Sequence, residues 1–228
     1  MANFSQIISE LVQGFGTTLA LFAVTLVLAL PIGLLFAFGS MSKIKPIKYV
    51  VKAIIWIIRG TPLMLQILLV SLLPKYLFSL MNKDIASFFG IGINTLMFIF
   101  VAVAFIINYA CYFSEIYRAG IESMSLGQYE AGKVLGLSKN QIFNKVIFIQ
   151  VIKRIVPPMS NEIITLVKDT ALAQILGVID LLVSATHAVN TYVVLTPFLY
   201  AALFYLIFNG LLTLLFNFIE KKLSYFKA

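Results

Sequence analysis

The chain has 228 residues, 61% of them apolar and 11% charged, with a mean hydropathy of +1.01. Soluble domains run at roughly 45–50% apolar and about 25% charged, so a water-soluble protein of this size is excluded and lipid is the solvent that fits. The net charge is +8, and the basic residues sit in short stretches between long apolar runs, which points to membrane edges and not to nucleic acid.

A membrane helix needs about 20 mostly apolar residues, and the chain predicts five, at about 11–41, 53–74, 88–114, 155–179 and 193–219. Helices are expected because each span must satisfy its own backbone; the strict alternation of barrel strands is absent. The first span is uncharged from Leu11 to Ser42, longer than a cleaved signal peptide and without a basic leader. Its Gly14, Gly16, Gly33 and Gly39 predict close helix contacts. Lys43, Lys45, Lys48 and Lys52 follow. The second span carries Arg59 as its only charge. With Thr61, Pro62 and Gln66 it makes a polar patch, read either as a kink opening backbone towards a cavity or as a plain kink beside a snorkelling arginine. In the third span Asn108, and Glu115 just beyond it, read as interhelical hydrogen-bonding groups, and Cys111 as a small apolar filler. The lone cysteine excludes an internal disulfide framework. The lone histidine, His187, reads as a loop residue, and without a second one a His-ligated metal centre or a Ser-His-Asp triad is not expected.

The stretch 120–154 is the one sizeable loop. Ser125-Leu-Gly-Gln128 and Ser138-Lys-Asn-Gln141 both fit a capping box, and Gly136 stands where a left-handed turn would end the first helix. The loop is therefore predicted as helix, turn, helix, with Ile142, Phe143, Val146 and Ile147 on one face of the second helix. Gly127-Gln-Tyr-Glu-Ala-Gly-Lys133 has phosphate-loop spacing, but Val134 replaces the required Ser/Thr and no strand precedes it, so nucleotide binding here is rejected. Pro157-Pro158 are expected to bend or restart the chain at the entry to span four. That span holds Glu162, Thr165, Lys168 and Asp169 on one face. Ionisable groups inside a span cost roughly 2.5–3.5 kcal/mol on insertion scales and face the protein interior. Two readings stand: a polar pathway, or pairs such as Lys168–Asp169 and Glu162–Arg59 that pin helix packing. Span five has no acid or base.

The links after spans one, three and five carry four, six and three Lys or Arg, thirteen in all, against Lys75 and Lys83 on the other side. The positive-inside bias then puts the N-terminus outside and the C-terminus in the cytoplasm.

Four segments resemble one family. Glu130-Ala-Gly-Lys-Val-Leu-Gly136 is similar to the EAA loop of ABC importer permeases. Arg59-Gly-Thr-Pro-Leu-Met-Leu-Gln66, Ser114-Glu-Ile-Tyr-Arg-Ala-Gly-Ile-Glu-Ser123 with Gly127-Gln128, and Pro157-Pro-Met-Ser-Asn-Glu-Ile-Ile-Thr-Leu-Val-Lys-Asp-Thr170 resemble the signatures of its polar amino acid branch, in the right order over about 14–222. Departures are Gly132 for the second alanine, Val146, Phe148 and Ile149 for isoleucine, leucine and proline, and Ser160 for glycine. The missing proline would let the second loop helix run on towards Pro157.

The resemblance implies an all-α integral membrane protein of type I importer architecture, with five transmembrane helices and a cytoplasmic helix-turn-helix coupling loop, in a bacterial plasma membrane. It implies a permease subunit that moves a polar amino acid by alternating access. The expected partners are a separate ABC ATPase that carries ATP and magnesium, an extracytoplasmic binding protein and a second permease chain. This chain would bind no cofactor, metal or nucleic acid and would not itself be an enzyme. Glu130, Ala131, Gly132, Gly136 and Leu137 would meet the ATPase. Glu162, Thr165, Lys168, Asp169, Arg59, Thr61 and Gln66 would line the pathway, where an acid and a base replace water around the substrate's ammonium and carboxylate. The rival readings are an ATP-independent channel or secondary transporter for a small polar solute, against which the capped loop argues, and an intramembrane enzyme, for which a persuasive nucleophile and base are lacking.

Overall fold

A computed structural model describes residues 4–81 and 85–223. Asn82 and Lys83, in the link expected outside, and Lys227 lie outside the described residues. The helices run α1 Phe4–Ser40, α2 Lys45–Arg59, α3 Leu63–Leu80, α4 Ile85–Phe89, α5 Ile93–Glu122, α6 Leu126–Val134, α7 Lys139–Ile142, α8 Phe148–Asp169, α9 Leu181–Tyr192 and α10 Thr196–Leu223. A π turn, Phe143–Ile147, joins α7 to α8, and a 3-10 segment, Thr170–Leu176, follows α8. The described residues contain no strand. By length and composition α1, α3, α5 and α10 can each cross a membrane, and the bent pair Lys139–Leu176 with Leu181–Tyr192, at 59°, makes a fifth crossing if it is one span.

α5 is the central post. Its Phe105, Tyr109 and Phe113 are among the largest fully buried side chains, and with Val101, Ala104 and Ala110 they join Leu21, Ile67, Leu166 and Val167 in the main core. α1 lies closest along it because Gly33 omits a side chain. A Cβ there would stand 2.9 Å from both the Ala110 carbonyl and the Phe113 Cβ. Gly14 likewise admits Ser184 and the Asp180 carbonyl, and Gly39 packs against Val51, whereas Gly16 faces open space.

Three segments differ from the sequence expectation. The stretch 53–74 is two helices, because Pro62, extended at φ −62°, ψ 135°, cannot continue α2 and restricts Thr61 before it. α8 does not restart at Pro157-Pro158; both prolines lie inside one helix of 22 residues. The Ser160 hydroxyl donates to the Pro157 carbonyl at 2.8 Å and lies 3.1 Å from Glu220 Oε1 on α10. Residues 181–192, expected as a connecting loop, form α9, capped by Asp180. His187 is therefore an exposed helical residue, not a loop residue.

Candidate functional site

The break between α2 and α3 is closed by side chains. Proline lacks the N–H that would reach the Ile58 carbonyl, and Gln66 Nε2 donates to that carbonyl instead, at 2.7 Å. Gln66 Nε2 also meets Thr61 Oγ1 at 2.8 Å, Thr61 Oγ1 bonds the Ile57 carbonyl at 2.9 Å, and Asn108 Nδ2 donates to Gln66 Oε1 at 2.9 Å from α5. Thr61 and Gln66 thus brace the break, and Asn108 anchors it to the central post.

Arg59, the last residue of α2, points elsewhere. Its guanidinium sits 5.0 Å over the Tyr112 ring and 3.6 Å from Glu115. Glu115 also takes two bonds from Arg118, at 3.1 and 2.5 Å, and Arg118 reaches Glu122 at 2.6 Å. Arg154, on α8, donates to the Ser123 carbonyl at 2.6 Å. Arg59, Tyr112, Glu115, Arg118 and Arg154 line a cavity of about 490 Å³ between α2, α5 and α8, with Glu162 on its α8 side.

Above Glu162, Thr165 and Asp169 are half-buried and Lys168 is exposed. Neither pairing weighed from the sequence forms among the described residues. Asp169 Oδ2 accepts from the Tyr109 hydroxyl at 2.7 Å, because α5 presents a closer donor than the neighbouring Lys168. Arg59 turns to Glu115, one of a chain of carboxylates on α5 already gathered by Arg118. The seven candidate pathway residues therefore fall into three groups: Thr61 and Gln66 at the break, Arg59 and Glu162 across the cavity, and Thr165, Lys168 and Asp169 higher on α8. Sequence reasoning missed Tyr109, Tyr112, Arg118 and Arg154. Arg154 was visible only as loop charge, Arg118 as loop charge and as part of the family-like segment 114–123, and the two tyrosines carried no signal.

The loop has the expected turn. Gly136 adopts φ +74°, its N–H bonds the Lys133 carbonyl at 2.9 Å, and the Leu137 N–H bonds the Gly132 carbonyl at 3.0 Å, which is a Schellman closure. At Ser138 the capping box forms on both sides. At Ser125 it does not: its side chain makes no cap, and the Gln128 side chain meets Gln150 instead. Gly132 replaces alanine for a visible reason, since a Cβ there would come within 2.6 Å of Ile142, whose buried side chain fills that space. Phe143, expected on the apolar face, is exposed, because the π turn adds a residue to the winding and sets its ring tilted against Phe148, 6.2 Å between ring centres. Glu130 and Ala131 are exposed. Around them Leu126 (76%), Val134 (87%) and Leu135 (76%) make an apolar tip on a polar loop.

A family model described as "Binding-protein-dependent transport system inner membrane component" matches residues 29–225. The chain is 32% identical to a putative glutamine transport system permease protein of Rickettsia bellii, covering 98% of this chain and 97% of that one. It is 32% identical to an L-cystine transport system permease protein of Bacillus subtilis, over 94% and 87%. A crystal structure of an amino acid ABC transporter with histidines superposes with a TM-score of 0.80 at 30% identity, covering 97% of this chain and 99% of that one. With its helical architecture, its braced break and its capped loop, the chain belongs to the family of binding-protein-dependent transport system inner membrane components.

Proposed function

We propose that the chain is the membrane-spanning permease subunit of an ATP-driven importer of a polar amino acid, working by alternating access with ATP and magnesium held on a separate ATPase. The observation that carries this reading is its near full-length likeness to amino acid permeases. The exposed apolar tip beside Glu130, on a rigid loop closed at Gly136, supports a mechanical input from another protein. That much apolar surface in water marks an interaction site.

In this reading Glu130, Ala131, Gly132, Gly136 and Leu137 form or support the ATPase contact, joined by Val134 and Leu135. Glu162, Thr165, Lys168 and Asp169 on α8 face the pathway with Arg59, while Thr61 and Gln66 act by bracing the break beside it. A second permease chain covers the exposed Lys168, since a bare cation at membrane depth cannot face lipid. A binding protein delivers substrate to the side that holds the N-terminus, and the C-terminus lies in the cytoplasm.

The test is substrate-stimulated ATP hydrolysis by the reconstituted complex across a panel of amino acids. Stimulation by one or a few polar amino acids through the binding protein is expected. Uptake that proceeds without an ATPase would replace this reading by the channel. For orientation, a cysteine at Asn140 is expected to resist an impermeant thiol reagent added outside, and one at Asn82 to react; the opposite pattern inverts the topology.

A further inference from the structure

The joint between the 3-10 segment and α9 carries an unexplained charge. Asp180 has no exposed surface. Its Oδ1 accepts from the Val183 N–H at 2.8 Å and so caps α9, but its Oδ2 has no hydrogen-bond partner. The joint is seated firmly on α1. Gly177, at φ +72°, ends the 3-10 segment, the Leu181 N–H donates to Thr18 Oγ1 at 3.2 Å, and Gly14 leaves room for the Asp180 carbonyl. Three other buried polar atoms are also without partners: Thr25 Oγ1 on α1, and Tyr205 OH and Asn209 Oδ1 on α10. Thr18 and Thr25 stand two turns apart on α1, and Tyr205 and Asn209 one turn apart on α10, so each pair shares a helix face. The Tyr205 hydroxyl lies within electrostatic reach of Asp180, and Thr18 and Thr170 are near it.

Among the described residues no countercharge reaches it. From Thr170 to Ile219 Asp180 is the only Asp, Glu, Lys or Arg, and α1 has only Glu10. The other titratable groups on the surrounding elements are engaged or turned away. Glu10 meets His187 at 3.4 Å and the Tyr192 hydroxyl at 3.2 Å, Asp169 holds Tyr109, and Lys168 is exposed. A buried carboxylate with one oxygen unpaired and no countercharge among the described residues is strongly destabilising as an anion, so a positive charge from beyond those residues is needed to neutralise it. Interrupted membrane helices offer unwound carbonyls to such ions, and here the Thr18 hydroxyl oxygen, which accepts from the Leu181 N–H, stands at the joint next to Asp180.

We propose that Asp180 holds one monovalent cation, a proton or Na⁺, which locks the joint of the broken span onto α1. The site is separate from the polar face of α8, and its test does not depend on which substrate is carried.

The complex, in lipid nanodiscs with the subunits that purify with it, is melted in Na⁺ or choline at fixed pH, and in choline from mildly acidic to mildly alkaline pH. Beside it D180N keeps the cap and shape but removes the charge. Bound Na⁺ raises the melting temperature by about 2–4 °C over choline. A bound proton gives the sign of a group that is neutral in this conformation: stability is present at the acidic end and lost as pH rises. In either case D180N melts at the stabilised temperature and responds to neither. A wild-type complex indifferent to both Na⁺ and pH overturns the proposal, as does a D180N complex with the wild-type response. If D180N does not assemble, Y205F decides: a shifted Na⁺ midpoint or pH midpoint supports the site, and an unchanged response overturns it.

Discussion

α5 and α10 are 30 and 28 residues long, and their most apolar windows have mean hydropathies of 2.3 and 2.0, yet 67% of the first window and 6% of the second is buried within the chain. Hydropathy does not separate them; side-chain size and placed polarity do. α5 buries Ala102, Ala104, Ala110, Asn108, Ser114 and Gly120, residues that admit a neighbouring backbone or bond to it. α10 exposes Leu199, Leu203, Leu206, Leu211, Leu214 and Phe218. In lipid, burying leucine gains nothing over leaving it among acyl chains, so packing falls to small residues and hydrogen bonds.

Breaking that contrast at its tightest point is expected to have the largest effect. Gly33→Leu drives a branched side chain into the Ala110 carbonyl and Phe113, and folded permease is expected to be lost; recovery of wild-type amounts of monodisperse protein after detergent extraction would show that α1 and α5 are not fixed there. Gly136→Leu comes next. It forces a branched side chain into a left-handed turn, so transport is expected to vanish and ATPase binding to weaken while insertion persists, read by uptake and co-purification. Asn108→Leu leaves the Gln66 carbonyl oxygen without its donor in a buried site, a loss of about 1–3 kcal/mol, visible as earlier melting with the complex intact. The mildest is Leu211→Ala on α10, expected to lie within about 0.5 kcal/mol of wild type. A loss comparable to that at Asn108 would mean that α10 is covered by protein and not lipid.

Much of this was legible in the sequence, for identifiable reasons. Apolar runs announce membrane helices, and Gly136 and the Ser138–Gln141 box formed because turn and cap chemistry is local. The matching box at Ser125 failed although its spelling is the same, since Gln128 found Gln150 on another element. The split at Pro62 was readable as a kink, but not that Gln66 supplies the missing donor. Arg59 choosing Glu115, and Asp169 choosing Tyr109, depend on how helices distant in sequence come together, and spacing along one helix carries no such information. Asp180 was overlooked because a single acid between two apolar stretches looks like loop punctuation; its signal was that no other Asp, Glu, Lys or Arg accompanies it from Thr170 to Ile219.

α8 has a further consequence. At 1.5 Å per residue its 22 residues make a connecting rod of about 33 Å, with the loop's π turn at one end and Asp169 at the other. A helix continuous over that length ties its foot to its head. Pro157 and Pro158 remove two of the bonds that stiffen its waist, which gives the rod one compliant collar just below Glu162. Ser160, braced towards Glu220 on α10, ties that collar to the neighbouring helix.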